Sequence, residues 1–268
     1  MIYLDDIPIK LCLFPDGTLN LTDASFIPHN SVIKITWKFN SLMEQVQLYH
    51  LTNFLKDIYP EHKLNLYLPY CLDARMDRVK NPQYEVHTLK YFCKFINDLG
   101  FNNVYVEDVH SSVTMALLDR AIDMRIDKRI NRLVERELQP DYLYFPDKGA
   151  YERYEYLRIR TSFFGEKDRD WVTGEIRGVI VHNPYNIVEA AYKNRSILII
   201  DDISSYGGTF HHSANKLKEM GFGTIYLYIT HCENSILQGD AINNPNIKHI
   251  YTTNSIFTGE HEKITVLE

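Results

Sequence analysis

Cysteine is scarce in this chain of 268 residues: only Cys12, Cys71, Cys93 and Cys232 occur, dispersed and with no Cys-x-x-Cys pair. That excludes a disulfide-built scaffold and a zinc site of the usual Cys/His spacing, and it fits a reducing compartment. No apolar run approaches the roughly 20 residues that a bilayer-spanning helix needs. The opening residues, MIYLDDIPIK, carry acids where a secretory leader would carry a basic segment followed by a long apolar one. Basic charge is not in excess either. The net charge of −6 gives no global field for holding nucleic acid or an anionic membrane, and no basic stripe with interleaved aromatics appears. Low-complexity tracts and short repeats are also missing. These absences lead to the expectation of a soluble, cytoplasmic protein with no nucleic-acid or membrane partner. Its anionic ligands must then be met by local basic groups, metal ions or backbone amides.

What is present is a hydrophobic content of 45%, enough over this length to bury a sizeable core and to form two domains. Short runs rich in Ile, Val, Leu and Tyr alternate with longer amphipathic segments, the pattern of βα units and a parallel sheet. KLNLYLPY (63–70), NVYVEDV (103–109), YLYFPD (142–147), SILIIDD (196–202) and TIYLYIT (224–230) read as strands. Leu48, Leu51, Leu55 and Ile58 keep helical spacing, as do Leu89, Phe92 and Ile96. The charged segment 121–138 reads as a solvated surface helix ending at Pro140, which places a boundary between domains 1–139 and 140–268. The predicted fold class is α/β: two domains, each a mostly parallel sheet flanked by helices.

The most informative stretch is ILIIDDISSYGGTF (197–210). Consecutive apolar residues suit a strand buried on both faces of a parallel sheet, and the C-terminal ends of such strands are where open α/β sheets place ligands. Asp201 and Asp202 fall at that end, where paired carboxylates can accept hydrogen bonds from adjacent sugar hydroxyls. Gly207 and Gly208 then let backbone amides approach a ligand at the N-terminus of the helix TFHHSANKLKEMG, which favours a phosphate. A ribose diol beside a phosphate is the ligand this order implies. The alternative reading is a buried strand leading to a capped helix, with the acids and hydroxyls as caps.

The segment resembles the phosphoribosyl-diphosphate motif of type I phosphoribosyltransferases and of ribose-phosphate pyrophosphokinases. LYLPYCLDARMDR (66–78) is similar to the pyrophosphokinase ATP segment, which the transferases lack, and LFPDGT (13–18) resembles the loop that reaches the adenine of ATP on a neighbouring subunit. VEDVHSS (106–112), FPDKGA (145–150), EKDR (166–169), ITH (229–231) and TTNSI (252–256) follow in the family's order. Read without the resemblance, the alternatives are a solvated ion-pair cluster for Arg75, Asp77 and Arg78, a capping or buried histidine for His110, and ordinary loop charges for Lys167 and Arg169.

The resemblance implies a Mg²⁺-dependent enzyme in which the anomeric hydroxyl of a 5-phosphorylated ribose attacks the β-phosphorus of ATP and AMP is released. Arg75, Met76, Asp77 and Arg78 would bind ATP, with Phe14 and Asp16 supplied by an adjacent subunit of a homo-oligomer. His110 and Asp147 would hold Mg²⁺ or its waters, and Lys167 and Arg169, on a mobile loop, would stabilise the transition state. Asp201 and Asp202 would take the ribose hydroxyls, and Ser205, Tyr206, Gly207, Gly208 and Thr209 would surround the 5-phosphate. The family's Asp-Thr-Gly-Gly-Thr reads Ser205-Tyr206-Gly207-Gly208-Thr209 here, and Thr18 and Met76 stand where the family has Glu and Gln. Both changes at 205 and 206 fall at the 5-phosphate. They favour an acceptor whose 5-phosphate is not terminal, such as ADP-ribose in NAD salvage, over ribose 5-phosphate. A phosphoribosyltransferase and a non-catalytic regulatory subunit are the competing classes.

Overall fold

The computed structural model describes residues 1–10, 12–20, 30–157, 160–169 and 176–267, with the backbone alone at residues 127, 167–169, 176 and 177. The chain forms two compact units, Met1–Arg125 and Ile126–Glu268.

The first unit is built on a six-stranded sheet. Its strands Val32–Trp37, Lys63–Leu68, Asn103–Glu107 and Ala121–Met124 run parallel in that order, and Ile2–Leu4 and Ile7–Ile9 extend one edge antiparallel. Helices Met43–Ile58 and Thr88–Asp98 bury the stripes read from the sequence, Leu48, Leu51 and Leu55 on one and Leu89, Phe92 and Ile96 on the other. Ile58, read as part of the first stripe, is exposed at the helix end. A separate small hairpin pairs Cys12–Leu13 with Leu19–Asn20.

The second unit holds a seven-stranded sheet in the order Ile176–His182, Ser162–Arg169, Tyr142–Phe145, Ser196–Ser204, Thr224–Cys232, Ile247–Thr253, Ile264–Leu267. Every pairing is parallel except that of the first two strands. The central strand shows why its apolar run is continuous. Ile197 and Ile199 pack into one core with Phe210, Ala214 and Leu217, whereas Leu198 and Ile200 pack into the opposite core with Ile130, Tyr154 and Phe145. A strand covered on both faces has no position left for a polar residue until it passes beyond the covering helices.

The segment 121–138 differs from its expected form. Ala121–Met124 joins the first sheet, Asp127–Arg132 is helical, and Leu133–Glu137 is a wider, π-type turn. Ile126, Ile130, Leu133 and Val134 are buried against the second sheet, so this is not a solvated helix and the division between units precedes Pro140. The high charge count hid a stripe at helical spacing, because a helix needs only one apolar face to be held. Ile130→Val is expected to cost about 1 kcal/mol of stability, as trimming a buried methylene does. Lys128→Ala, at an exposed position, is expected to be neutral. Thermal unfolding of the two variants checks the assignment.

Candidate functional site

The second unit presents its chemistry at the C-terminal edge of its sheet. Strand Ser196–Ser204 runs two residues past the paired acids, still in register with its neighbour at Ile203↔His231 and Ser204↔Cys232. Asp202 is buried at 1% exposure, and its Oδ1 accepts a short, charge-assisted hydrogen bond from Arg153 Nη1, which also lies 3.8 Å from Asp201 Oδ1. Arg153 ends the helix Lys148–Arg153, whose N-terminus is capped by Asp147 accepting from the Ala150 amide at 2.9 Å. Burial, with Asp202 next to it, pushes the Asp201 carboxyl well above the ordinary carboxylate range; Arg153 opposes this and the charge of Asp147 adds to it. Arg153 thus faces both acids of the pair, and hydroxyl donors at this edge would find carboxylate oxygens to bond.

Beyond Ser204 the chain turns. Gly207 has φ +81°, a left-handed conformation that glycine adopts without strain, and it precedes helix Gly208–Glu219, which has no side-chain cap and no acid in its first turn. The amides of that turn and the positive end of the helix dipole are therefore available to an anion. Thr209 lies in this first turn, half-buried, and Tyr206, just before Gly207, is 58% exposed. Ser205 Oγ donates to Glu233 Oε2 at 2.7 Å.

In the first unit the predicted ATP residues lie just past strand Lys63–Leu68. A tight turn, with Asp73 at φ +58° and Met76 N donating to Asp73 O at 2.8 Å, presents Arg75, Met76, Asp77 and Arg78. Asp77 is largely covered and Arg78 largely exposed, their closest approach being 3.4 Å. The register Leu68↔Val106 brings the next loop, carrying Asp108 and His110, to the same sheet edge. Phe14 and Asp16 sit at the exposed tip of the Cys12–Asn20 hairpin. Thr18, where the family has Glu, ties that tip: its hydroxyl and amide donate to Asp16 Oδ1 at 2.7 and 2.9 Å and lower the Asp16 pKa.

Lys167 and Arg169 were expected on a loop. Their backbone instead belongs to strand Ser162–Arg169, paired antiparallel with Ile176–His182 through Lys167↔Val179 and Arg169↔Ile176. Their side chains, and residues 170–175 between the strands, lie outside the described residues. The sequence also gave no sign of Arg153 or Glu233, which carry no motif of their own and matter only through the fold.

Among the described residues no three His, Cys, Asp or Glu side chains gather as a self-sufficient metal cage. Mg²⁺ at a nucleotide site takes most of its ligands from phosphates and water and only one or two from protein carboxylates. Asp147, close enough for its charge to act on the Asp201 carboxyl, offers a carboxylate of the kind such a site uses. No helix among the described residues is long and apolar enough to cross a membrane.

Both units are α/β, with mostly parallel sheets flanked by helices. The phosphoribosylpyrophosphate synthetase of Mycobacterium smegmatis has the same fold, superposing with a TM-score of 0.72 over 98% of this chain and 87% of that one at 16% identity. No family model matches the chain. The ribose-phosphate pyrophosphokinase of Pyrococcus abyssi is 30% identical over 213 residues, covering 77% of this chain and 70% of that protein. That of Saccharolobus solfataricus is 24% identical over 263 residues, covering 95% and 86%. The Bacillus subtilis protein of the same name is 28% identical over 212 residues, covering 75% and 62%. The arrangement is thus that of a diphosphoryl-transferring enzyme. The chain belongs to the ribose-phosphate pyrophosphokinase family.

Proposed function

We propose that this enzyme moves the diphosphoryl group of ATP to the anomeric hydroxyl of a 5-phosphorylated ribose, and that ADP-ribose is its preferred acceptor, giving ADP-ribose pyrophosphate for NAD salvage. The observation that carries the reading is the continuity of one element: a doubly buried strand delivers Asp201 and Asp202, and the same chain turns at Gly207 into an uncapped helix N-terminus. That continuity supports a site in which carboxylates accept from a sugar diol beside amides that donate to a phosphate.

In the reaction the anomeric oxygen attacks the β-phosphorus, the bond from β-phosphorus to the α–β bridging oxygen breaks, AMP departs with that oxygen, and the hydroxyl proton is lost. Such transfers depend on alignment and charge stabilisation more than on covalent chemistry from the protein. Arg75, Met76, Asp77 and Arg78 bind ATP, with Phe14 and Asp16 reaching the adenine from an adjacent subunit of a homo-oligomer. Asp201 and Asp202 orient the ribose hydroxyls, while the amides of Gly207, Gly208 and Thr209 hold the 5-phosphate. Lys167 and Arg169 neutralise charge on the transferring group. His110 and Asp147 would contribute to holding Mg²⁺ or its waters, and the metal when bound would supply charge neutralisation at the phosphate oxygens.

The exposed Tyr206 ring supports the acceptor choice, since an aromatic at the phosphate turn gives an extended 5-substituent something to stack on. Ribose 5-phosphate is the second reading, favoured by Glu233, which returns a carboxylate to the side of the turn where the family motif carries one. Acceptor competition decides between them. We expect a higher kcat/KM for ADP-ribose, and Tyr206→Ala should lower it about tenfold, the upper end of the ~0.5–1.5 kcal/mol of an aromatic stack, while ribose 5-phosphate changes little. A wild-type preference for ribose 5-phosphate would overturn the ADP-ribose assignment.

A further inference from the structure

The glycine turn is not self-supporting: residues 205, 206 and 207 are each held from one segment, 233–241. Register places Cys232 beside Ser204, so Glu233 falls next to Ser205, and its amide donates to Ser204 O at 2.9 Å. Its carboxylate accepts from Ser205 Oγ at 2.7 Å and from Ser235 Oγ at 3.3 Å. The Asp240 amide donates to Tyr206 O at 2.9 Å. Gly239 packs so closely that a Cβ there would stand 1.9 Å from Tyr206 O, and a Cβ on Gly207 would stand 2.5 Å from Ala241 Cβ. Three successive residues of the turn are thereby fixed by a hydrogen bond from a side chain, a hydrogen bond to a carbonyl and a steric stop. The Tyr206 ring is left outside.

We infer that Glu233 is a positioning residue for acceptor binding, and that with Gly239 it sets the shape of the anion turn and the point from which Tyr206 projects. The inference rests on the proposed reading of this turn as the acceptor site. The family motif carries a carboxylate within the turn itself; here Ser205 occupies that position, and a charge-assisted hydrogen bond from outside the turn takes over the constraint. Such bracing lowers the ordering cost of ligand binding, so its loss appears in acceptor affinity before it appears in turnover.

The test measures acceptor Kd by calorimetry on the full chain, with ribose 5-phosphate and with ADP-ribose, alongside KM for ATP. Glu233→Ala and Ser205→Ala cut the same bond from opposite ends. Each is expected to weaken acceptor binding about tenfold with KM for ATP unchanged, and the double variant should be no worse than either single one. Glu233→Gln keeps a side-chain oxygen to accept from Ser205 and should restore most of the affinity. Gly239→Ala, which displaces the turn without touching Glu233, should weaken acceptor binding as well. Unchanged Kd in Glu233→Ala and Ser205→Ala while wild type releases AMP would overturn the brace and leave the proposed reaction standing. Weakened Kd in an enzyme that releases no AMP would do the reverse. A wild type that binds neither acceptor would remove both.

Discussion

Lys167→Ala is expected to lower kcat about 10²–10³-fold while KM for ATP stays within about twofold, the signature of a donor that meets charge developing in the transition state. The argument combines chemistry with placement. Diphosphoryl transfer accumulates negative charge on oxygens that the ground state leaves partly solvated, and a cation acts on rate only if it binds that charge more strongly than the substrate's. The Lys167 backbone is paired to Val179 in an antiparallel strand pair, a support that preorganises a charge better than an unpaired loop does. Arg169→Ala should behave alike. Single-turnover measurements separate this outcome from slowed product release. A rise in KM for ATP with kcat preserved would remove Lys167 from the transition state and make it a ground-state binder.

Asp201→Asn is expected to pull stability and function in opposite directions. Its carboxyl is raised above the ordinary 3.8 by burial and by Asp202, so in the pH range between 3.8 and the folded value the folded chain holds a proton that the unfolded chain has released. This group's stabilisation is therefore present below that range and lost as pH rises through it. Asparagine removes the loss, and at neutral pH the unliganded variant should melt about 4 °C higher, roughly what ~1 kcal/mol is worth in a unit of this size. The same change removes a charged acceptor of ribose hydroxyl hydrogen bonds and should lower kcat/KM for the acceptor about 10²-fold, with KM for ATP unaffected. A lower melting temperature would show that Arg153 needs both carboxylates and that the acidic pair is structural.

Much of the second unit could be read from SILIIDD and GGT, because burial on both faces and a left-handed turn each leave a local mark on residue choice. The helix stripes at 48–55 and 89–96 were legible for the same reason. The antiparallel pairing around Lys167 was hidden, since charged residues on a strand near a sheet edge look like loop. The packing of Ile130 was hidden by the charges that surround it in sequence. Arg153 and Glu233 were illegible for a different reason: each acts across a gap of 49 or 28 residues closed only by sheet register. The departures at Ser205 and Tyr206 were visible at once, but the buttress on which they depend was not.

The measurement that bears most directly on the account is the nucleotide product formed from ATP and Mg²⁺ in the presence of ribose 5-phosphate or ADP-ribose, with product masses and ³¹P spectra recorded together. The account predicts AMP in one-to-one yield with an acceptor that has gained an intact diphosphoryl group at C1. ADP as the product, or no AMP with either acceptor, would contradict it and would return phosphoribosyl diphosphate to the role of substrate.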